Sequence, residues 1–105
     1  MSVNVIYMTA GSRAEAQKIG RALVESRLAA CVNIWDQMQS IYRWEEKLQE
    51  DSEVVIIAKT TDTRVPQLID KVKSLHSYEC PCIVSLSVSG GYPPFLDWIQ
   101  SEVND

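Results

Sequence analysis

One short stretch of the chain concentrates side chains that bind metals or act as nucleophiles. It runs from His76 to Cys82 and reads His-Ser-Tyr-Glu-Cys-Pro-Cys. Because side chains alternate along an extended strand, Cys80 and Cys82 would point to the same side, and His76 would turn back towards them. Two thiols and an imidazole suit copper(I) or zinc. Met8, at the end of an apolar stretch, would add a thioether to a copper site.

The same residues also have a purely structural interpretation. A free cysteine often packs as a small apolar side chain, and methionine fills gaps in cores. His76 would then be a polar helix end, and Cys31, between Ala30 and Val32, would belong to the core. A C-x-C pair with one histidine is a weaker metal signal than paired C-x-x-C motifs. The residues alone therefore leave a metal site and simple packing both open.

Catalysis finds little support in the sequence. The chain has one histidine, no G-x-S-x-G motif and no glycine-rich phosphate loop. A nucleophile pair of Cys80 or Cys82 with His76 is chemically conceivable, but no other residue supports it. We therefore expect a protein that is not an enzyme.

Length and composition bound the class of protein. With 105 residues, the chain is expected to form a single domain over residues 1–105. A net charge of -4 argues against nucleic acid or an anionic membrane surface as the main partner. Three cysteines cannot form a complete disulfide framework, and neither a signal peptide nor a membrane span is visible. We therefore expect reduced thiols and a cytoplasmic location.

Apolar periodicity predicts an α+β fold with the order βαββαβ and an added C-terminal helix. Val3 to Thr9 and the second half of Ile41 to Thr61 are apolar on both faces, as expected for central strands. The first half of 41–61 alternates apolar and charged residues, as an edge strand does, and we place the intervening turn at Gln49–Ser52. Before this hairpin, Asp36–Ser40 is predicted to form a bulge or a short loop.

Two long helices are predicted between the strands. Ser12–Glu15 has the pattern of a capping box, in which the serine and glutamate side chains each satisfy a free backbone N–H. The first helix is predicted to end near Leu28, and Gly20 within it would allow a close approach to the sheet. The second helix has Pro66 in its first turn and is predicted to end near His76.

The predicted sheet has one uncovered face. Right-handed crossovers place both long helices on the same side of an antiparallel sheet, which gives a ferredoxin-like sandwich. The other face is then bare, although the first and third strands carry apolar side chains there. In the fourth strand, Ile83 to Val88, the drier face is predicted to consist of Val84, Leu86 and Val88. A contiguous exposed apolar patch usually marks an interface, so we predict a homo-oligomer whose sheets cover one another.

Four segments of the chain together resemble the CutA divalent-cation tolerance proteins. They are Leu23–Ile34 (LVESRLAACVNI), Ser40–Thr61 (SIYRWEEKLQEDSEVVIIAKTT), Leu75–Pro81 (LHSYECP) and Tyr92–Ile99 (YPPFLDWI). The resemblance covers nearly the whole chain in order. It implies a ferredoxin-like subunit in a homotrimer that is similar to the PII signalling proteins. It also implies a role in tolerance to divalent metals, copper above all.

The resemblance further implies roles for particular residues. His76 matches a histidine that takes part in copper binding in some members, and Met8 stands where some members have a cysteine that does likewise. Ser77 replaces the family's usual proline. Cys82 replaces a residue that is commonly glutamate, so its sulfur is an addition near His76. We expect copper as the metal, with zinc as the alternative, and we expect that no metal is required for folding.

A second function, in a PII-like signalling or scaffold trimer, is also open. Such a trimer would bind a small anion or a partner protein in the clefts between subunits. The side chains expected to line such a cleft are those of Tyr78, Glu79, Arg43, Lys59 and Trp44. A third reading, an RNA-binding βαββαβ module, is opposed by the acidic charge and the dry sheet face.

Overall fold

The computed structural model of the chain describes residues 2–104, which form a four-stranded antiparallel sheet and three α-helices. The elements are β1 (Val3–Ala10), α1 (Arg13–Glu25), β2 (Cys31–Trp44), β3 (Lys47–Thr61), α2 (Val65–Leu75), β4 (Ile83–Ser87) and α3 (Pro93–Val103), with a single 3-10 turn, Asp62–Arg64, before α2. The strands lie in the order β2-β3-β1-β4. The predicted α+β fold, with β1 and β3 central and a helix added at the C-terminal end, is confirmed. Within residues 2–104, no helix has the length and apolar character needed to cross a membrane.

The main core lies between one face of the sheet and the helices α1 and α2. Ile6 and Met8 of β1 and Ile56 of β3 point from the sheet into this core, and Leu23 and Leu68 meet them from the two helices. All five side chains are fully buried. Burying each one contributes about 1.5–3 kcal/mol, so this layer provides much of the stability of the fold.

Among the residues that the structure describes, those of α3 cover one end of the opposite face of the sheet. Ile99 and Val103 of α3 are buried against Val3 and Ala30, and Val88 packs at the edge of this small second cluster. The third helix therefore closes the end of the sheet where β1 begins, and it leaves the rest of this face uncovered.

The uncovered part of the sheet, which we call the open face, carries large apolar side chains in solvent. On β4, Val84 is 47% exposed and Leu86 is 53% exposed, and they lie opposite Tyr7 and Val5 of β1. Trp35 of β2 is 74% exposed. The prediction that Val84 and Leu86 lie on the drier face of β4 is therefore wrong for the single chain, because within residues 2–104 no element covers this part of the face.

A long hairpin arm extends beyond the body of the sheet. β1 pairs with β3 only as far as Ala10 opposite Val54, whereas β2 stays paired with β3 up to Trp44. The turn of this arm is Glu45–Glu46, where both residues have positive φ, as in a type I′ turn. The turn that the sequence predicted at Gln49–Ser52 is wrong, since these residues lie inside β3. Polar residues fit there because the arm is exposed to solvent.

A β-bulge interrupts the pairing of β2 with β3 at the base of the arm. The pairing of β2 with β3 shifts between Trp35 and Met38, where β2 has one residue more than its partner strand. Within the bulge, Gln37 has a φ of 64°, and its N–H donates to Asp36 Oδ1 at 2.8 Å. This confirms the bulge rather than the loop, and β2 continues through it as one strand.

Helix α1 begins with half of the predicted capping box. Ser12 Oγ accepts a hydrogen bond from the Glu15 N–H at 3.1 Å. The Glu15 carboxylate accepts instead from the N–H of Gly11, at 3.3 Å, and from the N–H of Ser77, at 2.8 Å. The helix ends at Glu25 rather than near Leu28, because Arg27 has a left-handed φ of 59° that a continuing helix cannot contain.

Candidate functional site

A groove of about 910 Å³ opens on the open face, at the place where the hairpin arm leaves the sheet. Its floor is formed by the end of β1 and by the residues of β2 and β3 beyond the bulge. Its wall is formed by Tyr78, Glu79, Cys80 and Cys82. These four residues belong to residues 76–82, which connect α2 to β4 and which we call the 76–82 loop. The groove therefore collects side chains from four separate parts of the chain.

Four aromatic side chains line the groove. Tyr7 of β1, Tyr42 and Trp44 of β2, and Tyr78 of the 76–82 loop all line it. Tyr42 is 41% exposed and Trp44 is 44% exposed, so their rings remain accessible from solvent. The groove thus offers flat apolar surfaces to a ligand.

Carboxylates lie beside these rings. Asp51 and Glu53 of β3 and Glu79 of the 76–82 loop line the groove. Tyr42 Oη donates to Asp51 Oδ2 at 2.6 Å, and Tyr78 Oη donates to Glu53 Oε2 at 2.9 Å. Among the lining residues that the structure describes, none is a lysine, an arginine or a histidine. The charged groups of the groove are therefore all acidic.

Burial, and after it the nearby Glu53 carboxylate, favours the protonated forms of Tyr78 and Cys82. Burial raises the pKa of Tyr78, and the hydrogen bond to Glu53 and the charge of Glu53 raise it further. Burial also raises the pKa of the Cys82 thiol, and Glu53 adds to this effect, while a hydrogen bond with Thr9 opposes it. Both groups therefore keep their protons at neutral pH, and a metal that binds the Cys82 sulfur must displace one.

His76 holds the 76–82 loop against β1. Its Nε2 lies 2.7 Å from the carbonyl oxygen of Thr9, and its Nδ1 accepts a hydrogen bond from the Tyr78 N–H at 3.0 Å. A carbonyl oxygen can only accept, so Nε2 carries the proton and the ring is neutral. The imidazole also lies against the ring of Tyr78, with 4.6 Å between the two ring centroids. Both ring nitrogens are therefore engaged by the backbone.

The four residues that the sequence singled out as metal ligands lie in three different environments. Cys80, which is exposed, and Cys82, which is half-buried, line the groove together. Met8 is fully buried in the core between the sheet and the helices, and His76 is fixed as described above. Across residues 2–104, no three His, Cys, Asp or Glu side chains are grouped closely enough to hold a metal ion. Metal binding by these residues stays a prediction.

Some of the cleft residues expected from the sequence line the groove, and others do not. Tyr78, Glu79 and Trp44 line the groove, whereas Arg43 and Lys59 do not. The Nζ of Lys59 instead donates to Asn33 Oδ1. Sequence reasoning missed Asp51, Glu53 and Tyr7, which also line the groove. The available signal was the spacing of Asp51 and Glu53, which places both on one face of β3.

The chain is similar in sequence to proteins from animals and bacteria. It is 45% identical to a mouse protein named Protein CutA over 99 residues, which are 94% of this chain and 56% of that protein. It is also 45% identical to the Divalent-cation tolerance protein CutA of Thermus thermophilus, over 91% of this chain and 93% of that protein. The chain thus spans 55–65% of the length of the mouse, human and Xenopus laevis relatives.

Names of relatives indicate more than one cellular location. An Arabidopsis thaliana relative with 35% identity is named Protein CutA, chloroplastic. A structure from Archaeoglobus fulgidus, 41% identical to this chain, is described as the periplasmic divalent cation tolerance protein CutA. The cytoplasmic location expected from the sequence therefore stays a prediction.

The fold itself is shared with solved structures. The Archaeoglobus fulgidus structure superimposes with a TM-score of 0.94 over 97% of this chain and 99% of that one. The CutA structure from Xylella fastidiosa, which is 35% identical, has a TM-score of 0.96 over 99% of this chain and 100% of that one. A family model described as CutA1 divalent ion tolerance protein matches residues 4–102. With this match added to the shared fold and sequence, the chain belongs to the CutA1 divalent ion tolerance family.

Proposed function

We propose that this protein is a homotrimer that binds copper and contributes to tolerance of divalent metals. Membership of the family supports the role, since the family is described by divalent ion tolerance and not by a reaction. The observation that carries metal binding is that Cys80 and Cys82 line one groove. Sulfur ligands favour copper(I), and zinc is the alternative.

The metal site of this proposal takes any further ligand from His76 or from a neighbouring subunit. Two thiolates are enough to hold copper(I), but a four-coordinate zinc site needs further ligands, and both nitrogens of His76 are engaged within the chain. Any third ligand therefore comes either from His76, after it gives up the Thr9 or Tyr78 bond, or from a neighbouring subunit. Because the Cys82 thiol keeps its proton at neutral pH, copper binding releases that proton and becomes tighter as the pH rises.

An anaerobic competition titration tests the copper site. Reduced protein competes for copper(I) with a chromophoric chelator, beside a Cys80→Ser/Cys82→Ser variant and a His76→Ala variant. Cys31→Ser is the matched control, because Cys31 is half-buried in β2 and does not line the groove. We expect tight binding by the wild type and the control, and loss of binding in the double cysteine variant. Equal binding by all four proteins would refute the site.

The open face supports the homotrimer. Trp35, Val84 and Leu86 place large apolar side chains in solvent on the part of the sheet that α3 leaves open, and such a patch marks an interface. Light scattering should then give a mass of about three times the 11.9 kDa of one chain. Leu86→Glu should lower that mass, while Val24→Glu, at an exposed position of α1, should not. A wild-type mass of a single chain would contradict the proposal.

The groove also favours the second candidate function, a PII-like trimer that binds a small ligand. Its volume lies within the range of about 300–1,000 Å³ that is typical of small-molecule sites. Three of the five residues expected in such a cleft, Tyr78, Glu79 and Trp44, line it. A thermal-shift screen of metal-free protein tests this candidate, since a ligand that binds only the folded state raises the melting temperature. If no compound raises it, this candidate fails.

A further inference from the structure

We propose that the groove binds a small organic cation, an alkylammonium whose charged head lies against Asp51 and Glu53 and whose apolar arm lies on the aromatic side chains. The proposal rests on the second candidate function, in which the groove is a ligand site. It goes further by naming the chemical class of the ligand. It also reverses the sign of the ligand charge, because the sequence had suggested a small anion.

The first argument is charge complementarity. Asp51, Glu53 and Glu79 line the groove, and no basic residue is among the lining residues that the structure describes. An anion would meet three carboxylates there, whereas a cation would neutralise them in part. The two bases expected in the cleft do not contribute, since Lys59 is bound to Asn33 and Arg43 lies outside the groove.

The second argument is that the carboxylates of Asp51 and Glu53 are held in place and can still accept further hydrogen bonds. Asp51 uses Oδ2 for the hydroxyl of Tyr42, and Glu53 uses Oε2 for the hydroxyl of Tyr78. Within residues 2–104, Oδ1 of Asp51 and Oε1 of Glu53 accept no hydrogen bond. An ionised carboxylate has about four lone-pair sites, so each can accept further N–H donors. An ammonium group is a donor of this kind with three N–H bonds.

The third argument is the aromatic surface beside these carboxylates. Tyr7, Trp44 and Tyr78 line the same groove, and a cation near the face of such a ring is attracted by the ring quadrupole. The ring faces also accommodate an alkyl chain. Aromatic rings next to fixed carboxylates therefore match a ligand that is charged at one end and apolar at the other. They do not match a fully hydrated metal ion.

The experiment compares three probes of equal chain length that differ in charge: hexylammonium, hexan-1-ol and hexanoate. Each is titrated into full-length, metal-free protein in the presence of a chelator, and binding is followed by calorimetry and by Trp fluorescence. We expect hexylammonium to bind more tightly than hexan-1-ol, by roughly five- to thirtyfold, and hexanoate to bind most weakly. The preference for the cation should weaken as salt is added.

Two variants and one control locate the binding. Glu53→Gln removes the charge but keeps an oxygen that can accept from Tyr78, so it should reduce the cation preference while the fold is retained. Trp44→Ala, at an exposed position, should weaken hexylammonium and hexan-1-ol together. Asp97→Asn makes the same charge change on an exposed residue of α3 and should leave all three affinities unchanged.

The outcomes test separately whether the groove binds a ligand and whether that ligand is a cation. Hexanoate binding in the groove, weakened by Trp44→Ala, would keep the ligand site and overturn the cation. Equal affinities for hexylammonium and hexan-1-ol would also overturn it, because the groove would then be only an apolar surface. If none of the three probes binds, the groove is not a site for such ligands, as would be the case if a second copy of the chain filled it. That result would overturn both the organic cation and the PII-like ligand site.

Discussion

His76 Nε2 lies 2.7 Å from the carbonyl oxygen of Thr9, and this contact joins the C-terminal end of α2 to the end of β1. On the other side of the ring, Nδ1 accepts from the backbone N–H of Tyr78. One nitrogen donates and the other accepts, so a single neutral imidazole fixes the 76–82 loop at two points. A metal that takes either nitrogen must first break one of these bonds.

The first prediction concerns the structural role of His76. His76→Ala removes both hydrogen bonds, so we expect the free energy of unfolding of the metal-free protein to fall by about 1–3 kcal/mol. Urea denaturation at pH 7 measures this, with Lys73→Ala, at an exposed position of α2, as the control. If both variants unfold at the wild-type urea concentration, the imidazole does not hold the loop and is free for other roles.

The second prediction concerns alkaline pH. The pKa of Tyr78 is raised by burial and by Glu53, while in the unfolded chain a tyrosine has a pKa of about 10. Above about pH 10 the unfolded chain loses this proton and the folded protein keeps it, so unfolding becomes more favourable as the pH rises. The stability of the wild type should therefore fall more steeply than that of Tyr78→Phe between about pH 9 and pH 11. Parallel curves for the two proteins would contradict this.

The third prediction concerns Gly20, where the expected close approach of α1 to the sheet is confirmed. A Cβ at this position would lie 3.1 Å from Val32 Cγ1 and 3.7 Å from Ile34 Cδ1. Alanine is favoured over glycine in a helix by about 1 kcal/mol, but here the contact with Val32 opposes that gain. Gly20→Ala should therefore be more favourable in a Val32→Ala background than in the wild type, by roughly 0.5–2 kcal/mol.

A double-mutant cycle in urea measures this coupling directly. The four proteins are the wild type, the two single variants and the double variant. A coupling free energy near zero would mean that Val32 moves aside at no cost, and it would show that Gly20 is not required for the packing of the helix.

Strand periodicity was sufficient to predict most of the fold. β1 and β3 are apolar on both faces, and this alone places them in the centre of the sheet, where the structure has them. The same feature hides which face each side chain occupies. Met8 is a candidate copper ligand by its thioether and its position, and an all-apolar strand does not reveal that Ile6 and Met8 point towards the helices.

The groove was predicted only in part, because it depends on the position of one turn. Cys80 and Cys82 both line the groove, but they lie in the 76–82 loop before β4 begins at Ile83, so strand alternation does not account for their shared position. Asp51 was missed because it lies in the stretch taken for the turn, and in the structure it is opposite Ser40 in the paired arm. The true turn, Glu45–Glu46, contains neither glycine nor asparagine, so nothing in its composition marks a positive φ.

The last prediction follows from that strained turn. Glu45 and Glu46 have φ values of 50° and 67°, a conformation that costs a residue with a side chain about 1–2 kcal/mol. Asn-Gly is the preferred pair in a type I′ turn, so Glu45→Asn/Glu46→Gly should raise the free energy of unfolding by about 1–2 kcal/mol.

The matched control makes the same pair of changes at the site that the sequence suggested. Gln49→Asn/Glu50→Gly places the turn residues inside β3, where glycine weakens a strand by roughly 0.5–1 kcal/mol, so this variant should be less stable than the wild type. Chemical denaturation of the two variants should therefore shift in opposite directions. If Gln49→Asn/Glu50→Gly stabilised the protein and Glu45→Asn/Glu46→Gly destabilised it, the arm would turn at 49–52. In that case Asp51 could not lie opposite β2, and the acidic side of the groove would be lost with it.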